Sequence, residues 1–162
     1  MVGRDLSGNY SGAKQVIATH LIIGVLVISL SVVFHVVAII FLIALMKRSH
    51  PRLARLPRTT RIVVTTVLNV LAVIGVHTVE AWSWALLYLY LGEFSNMQDA
   101  LYYSVVTATT LGYGDITLSP EWRILGTFEA MGGLILFGVS TAFLLEMLRF
   151  QFKEENNPAN PP

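Results

Sequence analysis

The chain has 162 residues, of which 54% are apolar and only 13% are charged, and its mean hydropathy is +0.64. This composition excludes an ordinary soluble domain, whose surface needs more charged residues, and is typical of an integral membrane protein. The net charge of +1 says little, and the absence of cysteine excludes disulfides and thiolate metal sites.

The first predicted element is a membrane-spanning helix over residues 15–46, which contain no charged residue apart from histidine. Because a bilayer requires about 20 apolar residues, this run is long enough to span with tilt. It is too long for the apolar core of a signal peptide, and its basic residues follow it rather than precede it. We therefore predict a retained, peripheral transmembrane helix, with residues 1–14 outside the cell.

Residues 47–61 form a basic segment without acids, which predicts a cytoplasmic linker and sets the orientation of the chain. Its six cations are Lys47, Arg48, Arg52, Arg55, Arg58 and Arg61. The arginines recur every third residue, as in a voltage sensor, but Pro51 and Pro57 interrupt them and the first helix has no acid to shelter them. The favoured interpretation is a linker at the lipid surface, with anionic lipid as a partner of Arg52, Arg55, Arg58 and Arg61.

Residues 62–91 predict a second spanning helix, interrupted only by His77 and Glu80. These two lie on one helical face and could bind a metal, but a second such pair to complete the site is missing, and only His20 and His35 of the first helix could contribute. The favoured interpretation is a hydrogen-bonded structural pair close to the outer interface. A membrane metalloenzyme using His77 and Glu80 is the weakest functional alternative.

A short helix is predicted next, over residues 96–109, with Ser95 and Gln98 as its capping box. About 20 Å of helix cannot cross a bilayer, so both ends open to the same side, as in a re-entrant half-helix. Its C-terminal end carries partial negative charge, which favours a cation. The surrounding outer link contains four acids and one arginine: Glu93, Asp99, Asp115, Glu121 and Arg123.

The half-helix leads into "TLGYG", residues 110–114, which we call the TLGYG segment. Non-helical backbone survives at membrane depth only when it is buried in protein or lines a wet cavity. Gly112 and Gly114 alternate with larger residues, and glycine tolerates backbone angles that turn successive carbonyls toward one axis. One chain cannot surround an ion, so rotationally related copies are needed. The alternatives to an ion site are a surface turn and a phosphate-binding loop, but a phosphate-binding loop precedes a helix rather than following one.

Residues 121–150 predict a third spanning helix, with Ser119 as N-cap and Pro120 in its first turn. Glu129 lies level with the TLGYG segment, and we expect it to bond to the half-helix, to Thr107 or to Thr109, or to serve an interhelical bond of structural value alone. Residues 151–162 have no apolar pattern and predict a disordered cytoplasmic tail.

The stretch "TTLGYGD" resembles the signature filter of tetrameric potassium channels, TVGYG. The order of outer helix, half-helix, filter and inner helix over residues 62–150 is similar to the pore module of that family. The resemblance implies an all-α integral membrane protein with three transmembrane helices, a re-entrant pore helix and a selectivity-filter loop, assembled as a four-fold symmetric homotetramer.

Carried over residue by residue, the resemblance implies K⁺ as the permeant ion and the sole metal, without an organic cofactor. The implied ion-binding residues are Thr110, Leu111, Gly112, Tyr113 and Gly114. The implied filter supports are Thr109, Tyr102, Tyr103 and Asp115, to which we add Glu129. The implied gating hinge is Gly133, and the pore-lining stripe of the inner helix is Leu134, Phe137, Thr141 and Leu145.

Leu111 departs from the family pattern because it lacks the β-branch of the usual valine. The resulting prediction is a potassium-selective channel of the plasma membrane, not an enzyme, with the N-terminus outside and the C-terminus in the cytoplasm. We expect gating by the inner helices, the filter or lipid. The alternatives are a non-conducting, pore-like subunit that modulates a partner and a weakly selective cation channel.

Overall fold

The computed structural model describes residues 6–53 and 56–155, with side chains described over 18–48 and 56–153. Those residues form four helices: α1 (Leu6–Leu53), α2 (Arg58–Tyr90), α3 (Met97–Ala108) and α4 (Arg123–Glu155). Three stretches are long and apolar enough to cross a membrane: Ala18–Arg48, Arg58–Tyr90 and Arg123–Lys153. The prediction of an all-α membrane fold with three spanning helices is therefore confirmed.

The long helices extend beyond their apolar runs. Helix α1 begins at Leu6 and ends at Leu53, so it includes part of the predicted N-terminal segment and part of the predicted linker. Helix α4 continues to Glu155, into the predicted tail. Extending a helix costs much less than starting one, so polar residues next to an apolar run join its helix. Residues 1–5, 54–55 and 156–162, and with them the predicted lipid contact Arg55, lie outside the described residues, as does the side chain of Arg52.

The break between α1 and α2 coincides with a proline. The carbonyl of Pro57 accepts the first bond of α2, from the backbone N–H of Arg61 at 2.9 Å. Proline suits the start of a helix because it has no N–H to satisfy there. Most of the basic segment is thus helical, and α2 begins four residues before the predicted position 62.

The chain divides into two compact units. The first comprises Met1–Val32 and Ala81–Leu134. Its core is aromatic and aliphatic, since Trp84, Tyr88, Leu118 and Leu125 are buried together. The ring of Tyr88 meets Tyr103 of α3 edge to face, with centroids 5.2 Å apart. Burial of large aromatic rings supplies most of the packing energy of such a small core.

The second unit comprises Val33–Glu80 and Ile135–Pro162. Its buried apolar side chains include Val73, Leu136 and Phe143. Its interior is more polar than that of the first unit, because several histidine, hydroxyl, amide and carboxyl side chains are buried there: His35, Thr65, Asn69, Glu80 and Ser140. Buried polar groups of this kind need partners, since no water reaches them in a bilayer.

Candidate functional site

The short helix α3 is capped one residue later than predicted. The N-cap is Asn96, whose Oδ1 accepts from the backbone N–H of Asp99 at 2.9 Å, while its Nδ2 donates to the Asp99 carboxylate at 2.8 Å. The expected cap at Ser95 is therefore wrong. Asparagine caps as well as serine does, and Asp99 lies where it can return the bond.

Helix α3 ends in a reciprocal pair of hydrogen bonds at its C-terminus. The backbone N–H of Thr110 donates to the carbonyl of Thr107 at 2.9 Å, and that of Leu111 donates to Val106 at 3.0 Å. This pattern is a Schellman motif with Thr110 at its left-handed position, where φ is 57°. The turn satisfies carbonyls that the helix would otherwise leave unpaired, and it fixes the direction in which the TLGYG segment leaves the helix.

The backbone of the TLGYG segment alternates between two conformations. Thr110, Gly112 and Gly114 have positive φ, at 57°, 56° and 76°. Among the described residues, Thr110 is the only non-glycine with positive φ, so Leu111 and Tyr113 lie on the negative side. Positive φ is unfavourable for a β-branched residue. The two hydrogen bonds of the Schellman motif, which end on the carbonyls of Thr107 and Val106, hold Thr110 in this conformation. The alternation expected from the two glycines thus extends to the threonine.

The two tyrosines of α3 have different surroundings. Tyr103 packs inside the core of the first unit, against Tyr88 and Phe94. Tyr102 is exposed and donates from its hydroxyl to the carboxylate of Asp115 at 2.8 Å, a bond that raises the pKa of Tyr102. The Tyr102 bond ties the residue after the TLGYG segment back to α3.

The return loop after the TLGYG segment is held by Glu93, a residue that sequence reasoning assigned no role. The carboxylate of Glu93 accepts from the backbone N–H of Ser119 at 2.6 Å and from its hydroxyl at 2.9 Å. Ser119 was expected to cap the inner helix, but its hydroxyl is committed to Glu93 and α4 begins only at Arg123. The predicted N-cap is wrong because the helix begins four residues after Ser119, whose backbone N–H and hydroxyl both donate to the charged Glu93 carboxylate and hold it in the return loop.

Glu129 of α4 is buried and bonded to two hydroxyls. Ser104 of α3 donates to Glu129 Oε1 at 2.5 Å, and Tyr88 of α2 donates to Oε2 at 2.6 Å. The Ser104 hydroxyl also lies 2.9 Å from the carbonyl of Ala81. The expected bond between Glu129 and the half-helix is present, and Ser104 makes it. Thr109 instead bonds to its own helix, from Oγ1 to the carbonyl of Val105 at 2.7 Å.

Gly133 lies where α4 touches the end of α3. A methyl group at this position would overlap the carbonyl oxygen of Ala108, the last residue of α3. Glycine is therefore required here for close packing, independently of any hinge. The predicted pore-lining stripe is exposed in the single chain at all four of its residues, Leu134, Phe137, Thr141 and Leu145.

The polar residues of the outer helix lie in the second unit. His77 and Glu80 contact each other, with Nδ1 2.9 Å from Oε2, and both meet further partners. One of these is His35 of α1, whose Nδ1 lies 2.8 Å from Glu80 Oε1. His20 lies elsewhere, in the first unit, where its ring is tilted against that of Trp122 with centroids 4.4 Å apart.

Comparison with known proteins agrees with this architecture. In chain order, a membrane-length helix, a short helix, a loop with alternating glycines and a second membrane-length helix define a pore module of the channel class. A family profile described as "Ion channel" matches residues 63–150, which is more than half of the chain. The chain belongs to this ion channel family. It is a channel protein rather than an enzyme, and the predicted kinship with potassium channel pore domains is confirmed.

Individual relatives of this chain are subunits of voltage-gated potassium channels. The chain is 29% identical over 71 residues to potassium voltage-gated channel subfamily A member 10 of Mus musculus, which covers 43% of this chain and 14% of that protein. Its human counterpart is 30% identical over 64 residues, covering 39% and 12%. Human subfamily A member 5 is 27% identical over 70 residues, covering 43% and 11%. The chain thus spans only a small fraction of these relatives, and no solved structure matches it at a comparable level.

Proposed function

We propose that this chain is the subunit of a potassium-selective channel that conducts K⁺ passively through a ring of backbone carbonyls. The observation that carries this proposal is the alternation of positive φ at Thr110, Gly112 and Gly114, directly after a helix too short to span. Such alternation brings carbonyls from successive residues to one side of the strand, where they replace the hydration shell of the ion. The ligands are the carbonyls of residues 110–113 and the Thr110 hydroxyl, with Gly114 completing the segment.

Four copies of the chain surround the ion in this proposal. A single strand offers ligands from one side only, so closure requires rotational symmetry. Exposure in the single chain supports this assembly, since Leu111 is 55% and Tyr113 67% exposed although both are large and apolar or aromatic. In the tetramer, Tyr113 packs outward against neighbouring aromatic side chains. Helix α3 adds its C-terminal partial charge to the site from each subunit.

The supporting residues act behind the filter. Tyr102 holds Asp115 at the outer mouth, and Glu93 holds the return loop through Ser119. Glu129 fixes the rotation of α3 through Ser104. Helix α4 lines the ion pathway and gates by its own movement in this proposal, through the exposed side chains of Leu134, Phe137, Thr141 and Leu145.

The proposed setting is the plasma membrane, with the basic segment in the cytoplasm. Positively charged loops are retained on that side, and anionic lipid lies there. The N-terminus of the chain is then outside and its C-terminus inside.

Potassium flux into liposomes tests the filter. Wild-type protein should pass K⁺ or Rb⁺ and exclude Na⁺, whereas Gly112→Ala should abolish flux because alanine is strained at a φ of 56°. Gly138→Ala is the matched control, since that helical glycine has open space around it in its own chain. Flux unchanged in Gly112→Ala would refute the filter assignment. A wild-type tetramer that passes no ion would favour the non-conducting subunit, and equal Na⁺ flux the weakly selective channel.

A further inference from the structure

A second site lies in the second unit, built from the four side chains His35, His77, Glu80 and Ser140, which we call the histidine cluster. His35 is 1% exposed, Ser140 3%, Glu80 6%, and the His77 side chain 15%. They come from α1, α2 and α4, so three helices converge on one buried polar centre. Neither the proposed filter nor its supports use any of them.

The contacts of the histidine cluster form a closed ring. Both Nδ1 atoms face Glu80: His35 at 2.8 Å from Oε1 and His77 at 2.9 Å from Oε2. Both Nε2 atoms face the hydroxyl of Ser140, His77 at 2.9 Å and His35 at 3.0 Å. Each imidazole is therefore oriented by the serine on one side and by the carboxylate on the other.

The four contacts of the histidine cluster need more hydrogen atoms than its side chains supply. Two neutral imidazoles and one hydroxyl supply three hydrogens, while the ring has four contacts and the carboxylate supplies none. The shortfall is visible at Glu80, whose buried Oε2 accepts no well-directed hydrogen bond despite its 2.9 Å approach to His77 Nδ1. An unsatisfied carboxylate oxygen in a membrane interior is costly. A cation that meets both Nδ1 lone pairs and the carboxylate removes that cost.

We infer that the histidine cluster is a binding site for a divalent transition-metal ion of the zinc class. The ligands are His35 Nδ1, His77 Nδ1 and the Glu80 carboxylate, which offer three ligand atoms within 4.8 Å of one another. Two imidazoles and one carboxylate are a set that zinc favours, and they leave a fourth position open.

Ser140 completes the site as an outer-shell partner. With a metal on both Nδ1 atoms, the two Nε2 atoms carry the imidazole hydrogens and donate them to the Ser140 oxygen, which lies 2.9 Å from His77 Nε2 and 3.0 Å from His35 Nε2. The ring of His77 also stacks on Phe137 of α4, with centroids 4.2 Å apart, which limits its rotation. A bound ion therefore cross-links the segments of α1 and α2 in the second unit, and α4 holds the ligands in place.

Metal binding to the purified full-length protein tests this inference. Metal-stripped protein in detergent is titrated with Zn²⁺ in competition with a fluorescent chelator. We expect about one Zn²⁺ per chain, with binding in His35→Gln and in His77→Gln weakened by more than the roughly 10–100-fold that loss of an outer-shell partner costs. His20→Gln is the matched control, because His20 is also a buried histidine of α1 but its ring packs against Trp122. Co²⁺ should give a visible absorption band that is lost in the same two variants and kept in His20→Gln.

Ser140→Ala decides the question if a histidine variant fails to fold. It keeps all three ligands and should weaken Zn²⁺ binding by about 10–100-fold, as outer-shell substitutions do. Folding of each variant is checked by tryptophan fluorescence and by size-exclusion chromatography. Wild-type protein that binds no stoichiometric Zn²⁺ would overturn the inference. Binding that is equal in wild type, His35→Gln and Ser140→Ala would overturn it too.

Discussion

The close contact between Gly133 and the end of α3 leads to a prediction that distinguishes packing from hinging. The change is Gly133→Ala, which places a methyl group onto the carbonyl oxygen of Ala108. That carbonyl belongs to backbone rather than to a flexible side chain, so relief requires a shift of α3 or of α4. Because α3 leads directly into the TLGYG segment, such a shift reaches residues 110–114.

The expected magnitude combines two opposing effects. Overpacking a tight contact costs about 1–3 kcal/mol, and the rigid obstacle places this site at the upper end. Alanine gains about 1 kcal/mol over glycine in a helix interior. The free energy of unfolding should therefore fall by about 2 kcal/mol, which corresponds to a melting temperature lower by about 4–8 °C for a chain of this size.

The assay is thermal unfolding in detergent, followed by the fluorescence of the three tryptophans, with potassium flux measured on the same preparations. The control is Gly138→Ala in the same helix, which meets nothing within 4 Å in its own chain. It should melt about 2–4 °C higher than wild type, since only the propensity gain applies. If Gly133→Ala melts as high as Gly138→Ala, the packing argument is wrong. A loss of flux without a loss of stability would then point to the hinge.

Three further predictions concern the residues around the proposed filter. Glu129→Ala should lower the free energy of unfolding by about 1–3 kcal/mol, because it removes the acceptor of two buried hydroxyls. Glu129→Gln can still accept and donate hydrogen bonds, so its free energy of unfolding should lie within about 1 kcal/mol of wild type in the same melting assay. Glu93→Ala should lower the free energy of unfolding by about 1.5–3 kcal/mol and speed the loss of flux at low K⁺, because both bonds to Ser119 disappear. Glu121→Ala, at an exposed acid, should change neither quantity, and equal effects of the two variants would contradict the role assigned to Glu93. Leu111→Val should raise the K⁺ over Na⁺ permeability ratio, because a β-branched residue stiffens extended backbone; an unchanged reversal potential in asymmetric K⁺ and Na⁺ would show that the leucine carbonyl is held equally well.

The features that could be read from the sequence are those set by local chemistry. Long apolar runs must form helices in a bilayer because every backbone group needs a partner there, so the three spanning segments follow from composition and length. The backbone of the TLGYG segment follows from glycine spacing, since Gly112 and Gly114 accept positive φ without strain. Even there, Thr110 was missed, because its conformation comes from the hydrogen bonds that end α3 rather than from its own side chain.

The particular partners of most polar side chains were decided by tertiary structure. The local sequence around Glu129 does not show which side chains it meets. Only the packing of α4 against α3 and α2 brings it to Ser104 and Tyr88. Ser119 fits an N-cap in sequence, yet Glu93, distant along the chain, takes its hydroxyl.

The same limit applies to the histidine cluster and to Gly133. His77 and Glu80 are neighbours on one helical face by sequence, but His35 and Ser140 join them only through the rotation and register of three packed helices. Gly133 stands beside Gly132 in the sequence, and only the three-dimensional arrangement shows which of the two meets a backbone carbonyl. Rotation and register are set by the fit of whole helix faces. The sequence by itself therefore determines which segments cross the membrane and where glycine permits unusual backbone angles, but not which side chains meet.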